Sequence, residues 1–239
     1  MQSQRLLHPK VASIAITTQP TKTTYIEGQS FDPTGMVVTV TNEDDDVYTV
    51  TNYTYSPSGA LATTDTKVTV SYGGKTADVS ITVNAKVVES IAVTTQPTKT
   101  SYVEGQVFDP TGMVVTATYN DETTAVVTEY TYSPTTALAT TDDTITVSYS
   151  GKTADVTIEV VEKVVESIAI TTQPTKTSYT AGETFDPTGM VVTATYNDET
   201  TAVVSEYTYS PSGELATTDT AVTVSYSGKT ATVDITVAE

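Results

Sequence analysis

The chain has no cysteine, no tryptophan, one histidine and few basic residues. Each scarcity removes a class of chemistry. Without cysteine there is no disulfide framework, no thiol nucleophile and no thiolate metal site. The one histidine, His8, lies outside every repeated segment. A Ser-His-Asp arrangement or a histidine metal centre therefore cannot be built from the body of the chain. A carboxylate pair for glycoside hydrolysis needs two acids across a cleft, and here the acids sit mostly at turns. No catalytic residue and no cofactor is expected. Apolar runs are short as well: none approaches the roughly 20 residues of a membrane-spanning helix. Eleven Lys and Arg stand against 29 Asp and Glu, a formal net charge of −18. Such a chain repels phosphate backbones and anionic membranes, so neither nucleic acid nor a bilayer is expected as a partner.

What is present is a unit written three times. Phe31, Phe108 and Phe185 are 77 residues apart (108 − 31 and 185 − 108), as are Tyr53, Tyr130 and Tyr207. Three complete domains in file are expected rather than a solenoid, whose repeats are shorter. The expected boundaries are a tail over 1–10 and domains over 11–86, 87–163 and 164–239. The tail, MQSQRLLHPK, is too short and polar for a secretory signal peptide. The expectation is a fragment of a longer secreted protein, or a protein released by another route such as phage lysis.

The middle copy shows the local pattern. Ser90 to Thr95 alternates apolar and polar residues, as a half-buried strand does. Pro97 interrupts it, because proline cannot donate to a ladder. Phe108-Asp109-Pro110-Thr111-Gly112 is a turn cluster. Met113 to Tyr119 reads as a strand, Asn120-Asp121-Glu122 as a hairpin tip, and Thr124 to Tyr132 as the returning strand. Thr144 to Val160 reads as a hairpin with Ser150-Gly151 at its tip, which favours a primed turn. No segment has helical period. The fold class is all-β: antiparallel β-sandwich domains of six or seven short strands each. The core is expected on Ile91, Val93, Phe108, Val115, Tyr130, Leu138, Val147, Val156 and Ile158 and their counterparts.

The ladder formed by Ile91, Thr94, Pro97, Lys99, Tyr102, Gly105, Phe108, Asp109, Gly112, Met113, Val115, Tyr119 and Asp121, closing with Val147, Tyr149, Gly151, Lys152 and Thr153, resembles the bacterial immunoglobulin-like domain, group 3. The resemblance covers nearly all of the three copies. It implies tandem immunoglobulin-like domains, an extracellular location on a bacterial surface, and a spacer, display or adhesion role without catalytic residues. Related modules on phage virions make a capsid or tail decoration protein the alternative, binding host or mucus glycans weakly. A glycan- or protein-binding adhesin is a further one. An anchoring partner, cell wall or virion, is expected in either setting.

Three features invite a sharper reading. The tip Asn42-Glu43-Asp44-Asp45-Asp46, where the other copies read Tyr-Asn-Asp-Glu-Thr, is a candidate calcium site weighed against a solvated turn. Lys99 and Asp109 recur in every copy and are weighed as an amide crosslink against an exposed lysine beside a turn-making aspartate. Tyrosines such as Tyr130 and Tyr132 are weighed as a sugar platform against half-buried strand residues. The linkers Asn84-Ala85-Lys86-Val87-Val88 and Val161-Glu162-Lys163-Val164-Val165 contain neither Gly nor Pro. They predict short, fairly stiff joints, and a semi-rigid rod on the order of 100 Å long if each compact domain has a radius of gyration of roughly 11–12 Å.

Overall fold

The computed structural model describes residues 10–239. The tail up to Pro9, with Arg5 and His8, lies outside the described residues. The described chain contains strands, turns and bends but no helix. It divides into two compact units. The first holds residues through Ala92, with Val115–Glu129 and Tyr149–Thr153; the second holds Val93–Val114, Tyr130–Ser148 and Ala154–Glu239.

In the first unit, copy one supplies β1 (Val11–Thr18), β2 (Thr24–Ile26), β3 (Val37–Asn42), β4 (Val47–Val50), β5 (Thr54–Ser56), β6 (Lys67–Tyr72), β7 (Lys75–Ser80) and β8 (Thr82–Asn84). Two antiparallel sheets form, ordered β1-β3-β4 and β5-β6-β7, with β2 and β8 paired in parallel. Alternation fixes the faces: in β3 Val38 and Val40 are buried while Val37 and Thr39 are half-buried. The core joins these valines to Ile14, Tyr25, Phe31, Leu61, Val68, Val70, Val79, Ile81 and Val83.

The middle copy begins with β9 (Val88–Thr95) and continues with β10 (Ser101–Val103), β11 (Val114–Tyr119), β12 (Thr124–Val127), β13 (Thr131–Ser133), β14 (Thr144–Tyr149), β15 (Lys152–Thr157) and β16 (Glu159–Val161). The β11–β12 hairpin belongs to the first unit. The second unit holds the parallel pair β10–β16 and the antiparallel pair β13–β14. It also holds copy three: β17 (Val165–Thr172), β18 (Ser178–Thr180), β19 (Val191–Tyr196), β20 (Thr201–Val204), β21 (Thr208–Ser210), β22 (Ala221–Tyr226), β23 (Lys229–Asp234) and β24 (Thr236–Ala238). Its sheets run β17-β19-β20 and β21-β22-β23, with β18 parallel to β24.

Several expectations need correction. The run Thr124 to Tyr132 is not one strand: β12 ends at Val127 and β13 starts at Thr131, as part of a different sheet. The last strand likewise breaks at Ile158, where the chain leaves β15 for the parallel pair. Tyr130 and Val93 are half-buried rather than core. The remaining seven expected residues are buried, and Tyr102 joins them at 2 % exposure. The tips follow their chemistry: Ser150 and Gly151 both have positive φ, 47° and 75°, as a type I′ turn requires.

Candidate functional site

A close set of polar bonds lies where one repeat leads into the next. The tip of the β11–β12 hairpin is a tight loop. Glu122 N–H donates to the Tyr119 carbonyl at 2.9 Å, and Glu122 has a φ of 65°. This turn aims Asn120 and Asp121 at the linker Ala85-Lys86-Val87. The Asn120 side chain matches the linker backbone. Its Nδ2 donates to the Ala85 carbonyl at 3.0 Å and its Oδ1 accepts from Val87 N–H at 3.1 Å. Asn120 N–H donates in turn to the Val87 carbonyl at 3.1 Å.

Lys86 completes the clasp. Its Nζ lies 2.8 Å from Asp121 Oδ2, donates to Thr123 Oγ1 at 2.6 Å and stands 4.8 Å over the Tyr119 ring. The Asp121 side chain is 8 % exposed and that of Lys86 34 %. The aspartate is thus shielded from solvent while the lysine stays partly exposed. Hydrogen bonds from Lys86 and then Thr123 pull the Asp121 carboxyl down to about 2.

The same clasp recurs in the second unit. Asn197 bonds the Glu162 carbonyl and Val164 N–H at 2.9 and 3.0 Å. Lys163 lies 2.7 Å from Asp198, donates to Thr200 Oγ1 at 2.8 Å and stands 4.9 Å over Tyr196. Asp198 is likewise held at about 2, by Lys163 first and Thr200 second. A polar cleft of about 390 Å³ adjoins each clasp. One is lined in part by Tyr25, Gln29, Asn120 and Glu122, the other by Tyr102, Gln106, Asn197 and Glu199.

The sequence marked Asn120-Asp121-Glu122 only as a hairpin tip; the structure fastens that tip, and its counterpart at Asn197, to the linker. The available signal was a joint departure. Copies two and three pair a linker Lys-Val with a Tyr-Asn-Asp-Glu-Thr tip, while copy one has Pro9-Lys10 and Asn42-Glu43-Asp44-Asp45-Asp46. The first tip closes on itself. Asn42, 2 % exposed, accepts from the N–H groups of Asp44 and Asp46 at 3.0 and 2.9 Å, and its Nδ2 donates to Asp46. Glu43 faces Lys10 at 3.9 Å in the open. The Asn42 carbonyl is thus committed to backbone. Among the described residues no group of three or more acids or histidines is placed to hold a metal ion.

The other two candidates resolve into structural contacts. Lys99 turns to Gln106 Oε1 at 2.8 Å and over the Tyr102 ring, while exposed Asp109 accepts from Thr111 N–H and Oγ1. Tyr132 packs edge-on against Phe108, centroids 5.2 Å apart, half-buried beside Tyr130 rather than displayed in a row. The sequence assigned no special role to Tyr25, Tyr102 and Tyr179. In the middle copy the Tyr102 hydroxyl donates to the Lys99 carbonyl at 3.0 Å and accepts from Asp109 N–H at 3.1 Å. Burial first, and the Asp109 charge, raise its pKa above the usual tyrosine range, although the Asp109 N–H bond works against them.

Sheet pairs with buried aromatic centres, repeated in series and joined by fastened linkers, define a class of modular immunoglobulin-like array. The chain belongs to the bacterial Ig-like domain (group 3) family, which matches residues 18–83, 95–160 and 172–237. It is similar to pectate lyase L of Thermoclostridium stercorarium, 30 % identical over 126 residues, or 52 % of this chain. The chain spans only 10 % of that relative's length. Among solved structures it is similar to domains 4–9 of the surface layer protein SbsC, at 16 % identity and a TM-score of 0.28, covering 96 % of this chain and 48 % of that one. The I9–I11 tandem of titin matches at 11 % identity and a TM-score of 0.27, covering 95 % and 99 %.

Proposed function

We propose that this chain is a non-catalytic structural module of an extracellular protein: a spacer whose repeats are held in series by clasped linkers. The observation that carries this reading is the clasp. A flexible tether needs no bonds along its linkers, yet here Ala85, Lys86 and Val87 are each bonded to the tip of the next repeat. The family and the acidic, cysteine-free composition agree with a surface setting. The match to a small part of a much longer relative agrees with use as an accessory segment. The setting on a bacterial surface, and any anchoring partner, belong to this proposal.

Small-angle scattering on the whole chain tests the reading. A spacer with stiff joints yields the extended profile expected from the linkers, on the order of 100 Å by the domain-size scaling. A collapsed envelope contradicts it. A glycan array that stays blank leaves the spacer role standing, whereas saturable binding to one glycan class replaces it with an adhesin.

A further inference from the structure

We propose that the strands β12 and β20 are docking edges for an extended peptide strand, and that a cleft at the end of each takes a lysine or arginine side chain of that peptide. β20 ends its sheet, β17-β19-β20, and β12 likewise ends its own. Each is bonded to a neighbour on one side only, β12 from Thr124 with Thr118 to Val127 with Val115, and β20 from Thr201 with Thr195 to Val204 with Val192. A last strand presents a row of backbone N–H and C=O groups to whatever arrives, and proteins blunt such edges with lysine, proline or a bulge. Neither strand carries any of these. Both read Thr-Ala-Val-Val, and both registers run without a shift. Val126 is 64 % exposed and Val203 70 %.

The cleft gives each edge its chemistry. In the second unit it measures about 270 Å³ and is lined by Tyr196, Val203, Val204, Ser205, Glu206 and Tyr226. Its counterpart in the first unit, about 280 Å³, is lined by Tyr119, Val126, Val127, Thr128, Glu129 and Tyr149. In both, two half-buried tyrosines and two valines form the wall, and one exposed glutamate supplies the charge. Asp121 and Asp198 are held by lysines, whereas Glu129 and Glu206 form no salt bridge among the described residues. That combination suits a side chain with a long apolar stem and a cationic head. The stem lies along rings and valines while the head meets the carboxylate. An arginine can take the glutamate with two parallel N–H donors.

Charge selects the occupant. A second copy of this chain would bring its own net charge of −18, and the same glutamate, to an edge that already ends in one. Like charges set against each other disfavour that pairing. A peptide strand bearing lysine or arginine has the opposite sign. Its backbone completes the edge, while side chains on one face cover the bare valine and fill the cleft. The first copy serves as an internal control. It has Thr49 where the others have Val126 and Val203, Asn52 in place of Glu129 and Glu206, and Asn42 in place of Tyr119 and Tyr196. Two sites per chain follow, rather than three. This goes beyond the spacer reading and does not depend on stiff joints, so either can fail while the other stands.

Titration of the whole chain with the capped peptide Thr-Val-Thr-Lys-Thr-Val-Thr, followed by amide shifts in ¹⁵N spectra, tests the proposal. In this peptide the lysine and both valines share one face of an extended strand. Two separate sets of shifting amides are expected, over residues 124–129 and 201–206, with the first copy silent. Glu129→Gln with Glu206→Gln keeps the shape of the clefts and is expected to weaken binding about tenfold, the loss of one charge-assisted hydrogen bond. Val126→Lys with Val203→Lys is expected to abolish it. If that lysine pair unfolds the repeats, the glutamine pair still decides. A control peptide of equal charge, Pro-Val-Pro-Lys-Pro-Val-Pro, lacks the N–H groups that an edge needs and is expected not to bind. No shifts at millimolar peptide overturn the proposal. Equal binding of the two peptides, or shifts spread over the acidic surface and unchanged in the glutamine pair, assign the binding to bulk charge and overturn it as well. So does a dimer of the peptide-free chain that Val126→Lys with Val203→Lys disrupts, which gives the edge to a second copy.

Discussion

At the scale of single residues, two side chains carry more than their types suggest. The buried tyrosine hydroxyl satisfies one backbone donor and one acceptor, in copy three the Asp186 N–H and the Lys176 carbonyl. Tyr179→Phe leaves both unpaired, a loss of about 1–3 kcal/mol for such a group. In a domain of this size that corresponds to a melting shift of at least about 4 °C, read by calorimetry. The second is Asp121. Its carboxyl is held at about 2 in the folded state, below its ordinary 3.8. A lowered carboxylate contributes stability that is present above the unfolded value and is lost as pH falls through the folded one. The clasp's contribution is thus complete at neutral pH and is lost as pH falls from about 3.8 through about 2. A carboxyl NMR titration is expected to place Asp121 and Asp198 near 2, and a midpoint near 4 for Asp121 contradicts the clasp. The tyrosine's role was not legible in the sequence. The segment that carries it is only three residues long, too short for alternation to reveal a face. Tyr130, offered as core instead, sits outside any strand.

At the scale of elements, turn chemistry was legible and strand ends were not. The cluster Asp109-Pro110-Thr111-Gly112 turns as its residues dictate, with Asp109 bonded to Thr111 N–H and Gly112 at a φ of 83°. A Cβ on Gly112 would also stand 2.8 Å from Thr98 Cγ2, whereas one on Gly105, at a φ of 90°, meets nothing within 4 Å. Gly112→Ala and Gly105→Ala therefore share a backbone strain of about 1–2 kcal/mol, and Gly112→Ala adds a clash. Denaturant midpoints are expected to rank Gly112→Ala as the more damaging, and equal midpoints contradict the packing. The breaks at Thr128–Tyr130 and at Ile158 escaped the sequence reading. Apolar alternation runs on through Ile158, while the chain changes its hydrogen-bonding partner there. Which strand pairs with which is set by residues far apart in the chain, and no local pattern records it.

At the scale of the whole molecule, the repeat and its family were plain in the text: 77-residue spacing, the Tyr, Phe and Gly ladder, and linkers free of Gly and Pro. That composition predicts stiff joints without showing what would hold them. The structure shows a bond set between segments more than 30 residues apart, Lys86 with Asp121 and Lys163 with Asp198. Its only trace in the sequence is that linker lysine and tip change together in the first copy. Lys86→Ala removes the cation and leaves Asp121 with only its Thr123 hydrogen bonds. Its effect is expected to center on residues 84–88 and 119–123 in amide exchange, with the β5–β6 core protected as before. Loss of protection throughout copy one would assign Lys86 to folding rather than to the joint.

The most direct test of the account is the backbone order parameter of the linkers, measured by ¹⁵N relaxation on the whole chain. Fastened linkers predict values near those of the strands, about 0.85, over residues 85–88 and 162–165, falling at the first linker in Lys86→Ala. Values below about 0.6 in the wild type, the range of a flexible tether, would contradict it.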